Sequence, residues 1–187
     1  MIFSSRKLVL LLISMLMCGC VSTPHVVATS AQALPLLSPA SLGSVHQATQ
    51  QLHGEYGDKS FSLQCPVSVT AEKLTVICLT SMGLRAFTLN YDGHDITEQR
   101  ASQVPDALQA SRLLNDLQLA FWPLNVLQRV WRSAGVEVME PFPGTRRVMR
   151  DGKIITEVHY SSDPWQGRVW LRQNEIGYSL YIESVSE

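Results

Sequence analysis

Two cysteines set opposite each other by a hairpin constrain this chain more than any other feature. In residues 60–69, Phe61, Leu63, Cys65, Val67 and Val69 fall on one face and mostly polar residues on the other. That is the period of a half-buried strand. Thr70-Ala71-Glu72-Lys73 then turns the chain into residues 74–80. A turn centred between Ala71 and Glu72 sets Val69 opposite Leu74, Val67 opposite Val76 and Cys65 opposite Cys78. The apolar faces agree in that register, and a buried face is what fixes register. Directly opposed residues have Cβ atoms about 4.5–5.5 Å apart, and a disulfide needs slightly less. A Cys65–Cys78 disulfide is therefore expected, with modest adjustment. The alternative is two buried thiols packing as small apolar groups. Pro66 cannot donate to a ladder, so this strand should lie at a sheet edge or be bulged there.

A disulfide belongs to an oxidising compartment, and the N-terminus agrees. Arg6-Lys7 precedes an apolar run over residues 8–17 that stops at Gly19-Cys20. About ten apolar positions are too few for a membrane span, which needs about 20, but suit a cleaved signal. The stretch reads as a bacterial lipoprotein signal, residues 1–19, with Cys20 lipidated by acyl chains such as palmitate. An ordinary secretory signal with incidental cysteines is the other reading. Several acyl chains hold a membrane far more firmly than one. Cleavage leaves 168 residues with 13 basic and 16 acidic side chains, a net of −3. With no basic stripe, nucleic acid is not an expected partner.

Residues 20–42, with Pro24, Pro35 and Pro39, show no sustained period and read as a lipidated tether. Within them Leu34-Pro35-Leu36-Leu37 is apolar enough to dock on the body, which should span residues 43–187. Strands follow over residues 49–56, 60–69, 74–80 and 84–91. Asp92-Gly93 signals a two-residue hairpin pairing Tyr91 with His94 and Leu89 with Ile96, the last strand ending near Arg100. The period then changes. Pro105-Asp106 can open a helix carrying Leu113, Leu114, Leu117, Ala120 and Phe121. Trp122-Pro123 interrupts it, and a second helix carries Leu124, Leu127, Val130 and Trp131 until Gly135. A short strand over residues 136–139 leads to a loop with Pro141, Pro143 and Gly144. Asp151-Gly152 turns the next hairpin. A last hairpin around Asn174-Glu175 should set Val169 and Leu171 against Leu180 and Tyr178.

No catalytic constellation emerges, so an enzyme, a cofactor and a metal are not expected. His25, His46, His53, His94 and His159 show no close ligand spacing on one element. No Gly-x-Ser-x-Gly elbow is present. Asp92, Asp95 and Glu98 fit turn chemistry better than a calcium loop. What stands out is aromatic and apolar supply: Phe121, Trp122, Trp131, Trp165, Trp170, Tyr178 and Tyr181. An apolar sheet face must be covered. One helical pair over about nine strands would leave a curved sheet with a cleft, and an apolar cleft with few polar groups suits an acyl chain. Its expected lining is Phe61, Leu63, Val67, Val76, Phe87, Leu89, Leu117, Phe121, Trp131, Val169, Leu171 and Leu180.

The order of signal, tether, antiparallel strands, helical pair and further strands resembles the outer-membrane lipoprotein receptor LolB and its relative LolA. Leu79-Thr80-Ser81-Met82-Gly83-Leu84 followed by Asp92-Gly93 is similar to the LolB strand–loop–strand that carries a protruding apolar residue. Leu113-Leu114-Asn115-Asp116-Leu117 and Val130-Trp131-Arg132 are similar to its lid helices. The Leu34-Pro35-Leu36-Leu37 start and the Gly177-Tyr178 ending resemble more closely a proteobacterial lipoprotein family of unknown function sometimes associated with aryl polyene biosynthesis. The resemblance implies an α+β fold, an incomplete antiparallel β-barrel covered by helices around an apolar cavity. Met82 would then match the membrane-contact residue; the other reading folds it back onto the sheet. With Val21 rather than Asp after Cys20, the resemblance implies an outer-membrane, periplasm-facing protein. It would bind or transfer a hydrophobic ligand (an acyl chain, a lipoprotein's lipid or a polyene lipid), with a periplasmic carrier as a further partner the resemblance implies. The alternative is a structural or adaptor lipoprotein that binds a protein partner without lipid cargo.

Overall fold

The computed structural model describes residues 25–26, 34–102, 104, 109–161 and 163–186. The expected signal, Cys20 and the Pro105-Asp106 helix start lie outside them. The strands are β1 (His25–Val26), β2 (His46–Tyr56), β3 (Lys59–Val69), β4 (Leu74–Leu79), β5 (Arg85–Tyr91), β6 (Ile96–Arg100), β7 (Glu137–Phe142), β8 (Thr145–Arg150), β9 (Lys153–Tyr160), β10 (Arg168–Gln173) and β11 (Tyr178–Ser186). Between β6 and β7 lie the helices α1 (Ala110–Phe121) and α2 (Leu124–Trp131).

All eleven strands form one sheet in the order β1-β6-β5-β4-β3-β2-β11-β10-β9-β8-β7. Every pairing is antiparallel. The sheet is thus two meanders, β2–β6 and β7–β11, joined through β2 and β11. The two ends do not pair, so the sheet is open, with the helices on its apolar face. The alternation that predicted strands is what builds that face. Along β4, Leu74, Val76 and Cys78 are buried while Thr75, Ile77 and Leu79 are half-buried.

The cysteine hairpin has the expected register. Val69 pairs with Leu74 and Val67 with Val76, and Cys65 and Cys78 are joined by a disulfide with Cα atoms 4.2 Å apart. The expectation for Pro66 needs correction. β3 is an inner strand between β2 and β4. The missing donor is accommodated by a gap in the β3–β4 ladder, whose paired residues jump from Gln64–Leu79 to Val67–Val76 in unchanged register.

Two hairpins turn wider than expected. Tyr91 pairs with Ile96 and Leu89 with Glu98, so the turn spans Asp92 to Asp95. The Asp92 carboxylate accepts the backbone N–H groups of His94 and Asp95, at 2.9 and 2.8 Å. This side-chain turn replaces the tight glycine turn. At the other end, Leu171 pairs with Leu180 and Val169 with Ile182. That turn closes through Gly177, at φ 81°, whose N–H donates to the Gln173 carbonyl. Both errors are shifts of two residues, which preserve faces. The Asp151-Gly152 turn is as expected: Arg150 pairs with Lys153, and both turn residues have positive φ, 50° and 72°, as a two-residue hairpin demands. The first strand begins at His46 rather than Thr49. β7 runs on through Pro141 with a register shift between Met139 and Phe142, tolerable because β7 is a sheet edge.

The last nine residues of the expected tether, 34–42, belong to the packed body. They lie along α1 in matched register. The Asn115 amide accepts the Leu34 N–H and donates to the Leu34 carbonyl. Gln118 does the same with Leu37, and the Trp122 indole donates to Ser41. The Trp131 indole, on α2, donates to the Pro35 carbonyl at 2.8 Å. Leu34, Leu37 and Leu42 are buried. Strap and helices therefore form one unit.

Arg146, on β8, ties that unit to the sheet. Its guanidinium donates to the carbonyls of Leu119, Ala120 and Trp122, at 2.8, 3.3 and 2.7 Å. These are orphan acceptors at the C-terminus of α1, where the helix dipole favours a cation. Glu140 completes the pair at 3.2 Å and also accepts the Tyr160 hydroxyl and the Gly144 N–H. Burial pushes the Glu140 carboxyl up, but these hydrogen bonds and the Arg146 charge outweigh it and hold it below the usual range.

Two outcomes follow. Non-reducing peptide mapping should recover Cys65 and Cys78 joined, and replacing both by Ser should cost about 2–3 kcal/mol in urea unfolding, as for a short closed loop. Arg146→Ala should cost about 3–5 kcal/mol, because it leaves Glu140 and three buried carbonyls without their partner. Arg146→Lys should recover only part of that, since an ammonium cannot reproduce the fork.

Candidate functional site: an apolar cleft beneath the first helix

The inner faces of β2–β5, β10 and β11 and the underside of α1 enclose a cleft. It is lined by Gln50, Leu52, Cys65, Val76, Cys78, Phe87, Leu89, Leu113, Leu114, Asp116, Leu117, Phe121, Leu171, Leu180 and Ile182. The periodicity of each element explains the set. Strand residues two apart point the same way, as Val76 and Cys78, or Phe87 and Leu89. On α1, Leu113, Leu117 and Phe121 recur every fourth residue. Leu52, Phe87, Leu113 and Leu117 are only half-buried, so they form the rim.

Seven of the twelve expected lining residues are there: Val76, Phe87, Leu89, Leu117, Phe121, Leu171 and Leu180. Five are not. Phe61 lies over Gly54, where a Cβ would meet its ring at 2.0 Å. Leu63 is half-buried beside Leu52, its cross-strand partner, and Val67 and Val169 are buried in the core, but none of the three lines the void. Trp131 lines a separate void of about 30 Å³ on the far side of α1, with Leu34 and Ile155 among its walls. Alternation put the four strand residues among them on the inner face, but could not say which part of that face α1 covers.

The cleft is nearly closed. Its void is about 50 Å³, room for a few waters at about 10–15 Å³ each, whereas ligand pockets hold about 300–1,000 Å³. A wider depression of about 420 Å³ lies elsewhere, lined by Glu55, Trp170, Arg172 and Ser179 among others. It is open and polar.

Asp116 is the one ionisable lining residue, and it borders both the cleft and the smaller void. The Tyr178 hydroxyl of β11 donates to its carboxyl. Burial pushes Asp116 up to about 7, against the opposing pull of that hydrogen bond and of the Arg112 charge. Burial, and the carboxyl beside it, likewise push the Tyr178 hydroxyl well above its usual value. Asp116 interrupts the apolar pattern of α1 between Leu113 and Leu117, and that interruption was the available sign of a buried acid. Gln50, missed as well, shares the inward parity of Ala48 and Leu52 on β2.

The remaining sequence features resolve locally. Met82 is 79% exposed and Leu84 61%, so Met82 does not fold back onto the sheet. His46 stacks on Trp165 at 4.4 Å, His53 bonds Ser62, and His159 meets Glu157 at 2.6 Å. Glu98 is buried and accepts from Arg100.

Residues 47–186 match a family model described as protein of unknown function (DUF3261). No curated protein matches the chain.

Asp116 gives the fold a pH dependence. Its folded value lies above its unfolded one, so between about pH 4 and 7 the folded state binds the extra proton and stability falls as pH rises. Above about 7 this contribution is flat. Asp116→Asn should flatten the fall and raise stability at pH 8 relative to the native chain, as measured by urea midpoints from pH 4 to 8.

Proposed function

The chain belongs to this family of unknown function, and on that premise we propose that it is a lipid-anchored envelope protein that binds or transfers a hydrophobic ligand in the cleft beneath α1. The supporting observation is the lining itself: apolar side chains from six strands and a helix converge on one cleft whose rim is half-exposed. The roof is a separable unit. Among the described residues its polar ties to the sheet include those of Arg146 on β8, Tyr178 on β11 and the carbonyl of Val138 on β7, which accepts from Gln128. All three are strands of the second meander. On the first meander, Val76, Phe87 and Leu89 face α1 across the cleft. Binding then requires α1 to lift from β4 and β5 while staying tied to β8 and β11. Exchange of apolar ligand surface from water supplies the driving force, about 25 cal/mol per Å² before the costs of association.

The open sheet with a helical cover is the architecture the LolA/LolB likeness implies, and a lipid at Cys20 would hold the protein at the outer membrane facing the periplasm. There the exposed Met82 and Leu84 turn would touch the bilayer. An acyl chain, a lipoprotein's lipid or a polyene lipid fits this cleft chemistry. The second reading, an adaptor lipoprotein that binds a protein partner, is favoured by one observation: the void of about 50 Å³ is too small for a chain unless α1 moves.

Leu117→Asp, at the rim, separates the two. The native protein should bind the neutral dye N-phenyl-1-naphthylamine with enhanced emission and carry lipid in native mass spectrometry. The variant, still folded by circular dichroism, should bind at least tenfold more weakly. Equal dye binding by a folded variant, or a native protein persistently free of lipid with a stable protein partner, would favour the adaptor.

A further inference from the structure

The floor of the cleft carries an unmet hydrogen-bonding demand. Gln50 is 3% exposed, lines the cleft, and its Nε2 has no hydrogen-bond partner among the described residues. Its cross-strand partner on β11 is Ser184, on the same inward face, 4% exposed and with its hydroxyl likewise unpartnered. Two buried polar groups thus sit side by side where the two meanders join. Such groups are normally paired, and leaving one unpaired is costly.

We infer that Gln50, with Ser184 beside it, receives the carbonyl oxygen of a neutral, ester- or amide-linked acyl chain, whose hydrocarbon lies along Val76, Leu89 and Leu117. This rests on the hydrophobic-ligand reading above and sharpens it to a ligand class. Both groups can donate: the amide has two N–H bonds and the hydroxyl one O–H. A carbonyl accepts through two lone pairs and can meet both. Charge decides against a free fatty-acid anion. The lining holds no Lys, Arg or His, and its one ionisable side chain is the acid Asp116. A buried carboxylate would face no compensating cation there, which the interior penalises heavily. A plain hydrocarbon would leave Gln50 unpaired.

The test uses the whole protein held in amphipol, with N-phenyl-1-naphthylamine displaced by three amphiphiles of equal chain length. These are glycerol 1-monopalmitate, its ether analogue 1-O-hexadecylglycerol, which lacks the carbonyl, and palmitate at pH 8. The ester should displace the dye at a roughly five- to tenfold lower concentration than the ether, the worth of one amide hydrogen bond, and palmitate should be weakest. Gln50→Leu should erase the ester–ether difference while still binding the ether. Equal affinity for ester and ether in the native protein overturns the inference, with no variant needed, and assigns the Gln50 amide to a buried water. An undiminished ester preference in Gln50→Leu overturns it too, and palmitate binding as tightly as the ester overturns its neutral-ligand half. If the native protein binds no dye at all, the hydrophobic-ligand reading itself falls, and this inference with it.

Discussion

One guanidinium holds the parts of this protein in place. Arg146 stands on a mostly apolar inner face, and it is buried to 7% exposure. A cation there is stable because the C-terminal carbonyls of α1 converge on it and Glu140 balances its charge. It also lies 5.0 Å from the centre of the Tyr160 ring. Apolar packing alone would let a helix slide or rotate over a smooth sheet, since dispersion is non-directional. The Arg146 fork admits one position for the end of α1, and through the strap that position propagates to residues 34–42 and to Trp131.

The polar contacts of the roof fall into two sets with different consequences. Those between strap and helices are internal to the roof: the paired amides of Asn115 and Gln118, and the indoles of Trp122 and Trp131. They need not break when the roof moves. Those between roof and sheet include the ties to Arg146, Tyr178 and Val138, all on the second meander, and each is worth about 1 kcal/mol net, more where a charge takes part. Toward the first meander, Val76, Phe87 and Leu89 offer α1 an apolar surface, which can be replaced by another apolar surface at little cost. A hinge on one side and an exchangeable surface on the other follow from where the polar groups lie.

Much of this was legible in the sequence. Period-two patterning located ten of the strands, the helical pair broke at Trp122-Pro123 as read, and the cysteine register came out residue for residue because an apolar face and a short turn both specified it. The hairpins after Tyr91 and Gln173 were misread by two residues. There the deciding element was an Asp92 side chain or a Gly177 backbone, and the apolar faces are indifferent to a shift of two. The strap was only half legible. Its leucines showed that it could dock, but the match of Leu34, Leu37 and Ser41 to Asn115, Gln118 and Trp122 is a relation between segments 81 residues apart, beyond the reach of local patterning. Arg146 shares the inward parity of Val148, yet alternation alone gives no reason to bury a cation. The carbonyls that make it welcome appear only once α1 is laid across the sheet.

The seam between β2 and β11 has a consequence for how the chain comes together. Within each meander, neighbouring strands are joined by short turns, so their loop-closure cost is small. The seam is different: it joins strands far apart in sequence, as where Glu55 meets Ser179 across 124 residues. Until β11 is made, the first meander carries β2 as an open edge, eleven residues long, and such an edge is a template for mispairing between chains. Its histidines and glutamines and the flat Gly54 offer no proline or lysine to discourage that. The strand that comes last in this sheet's chain order is therefore also the one that removes its main aggregation hazard, so damage to β11 would be felt as insolubility before it was felt as lost stability.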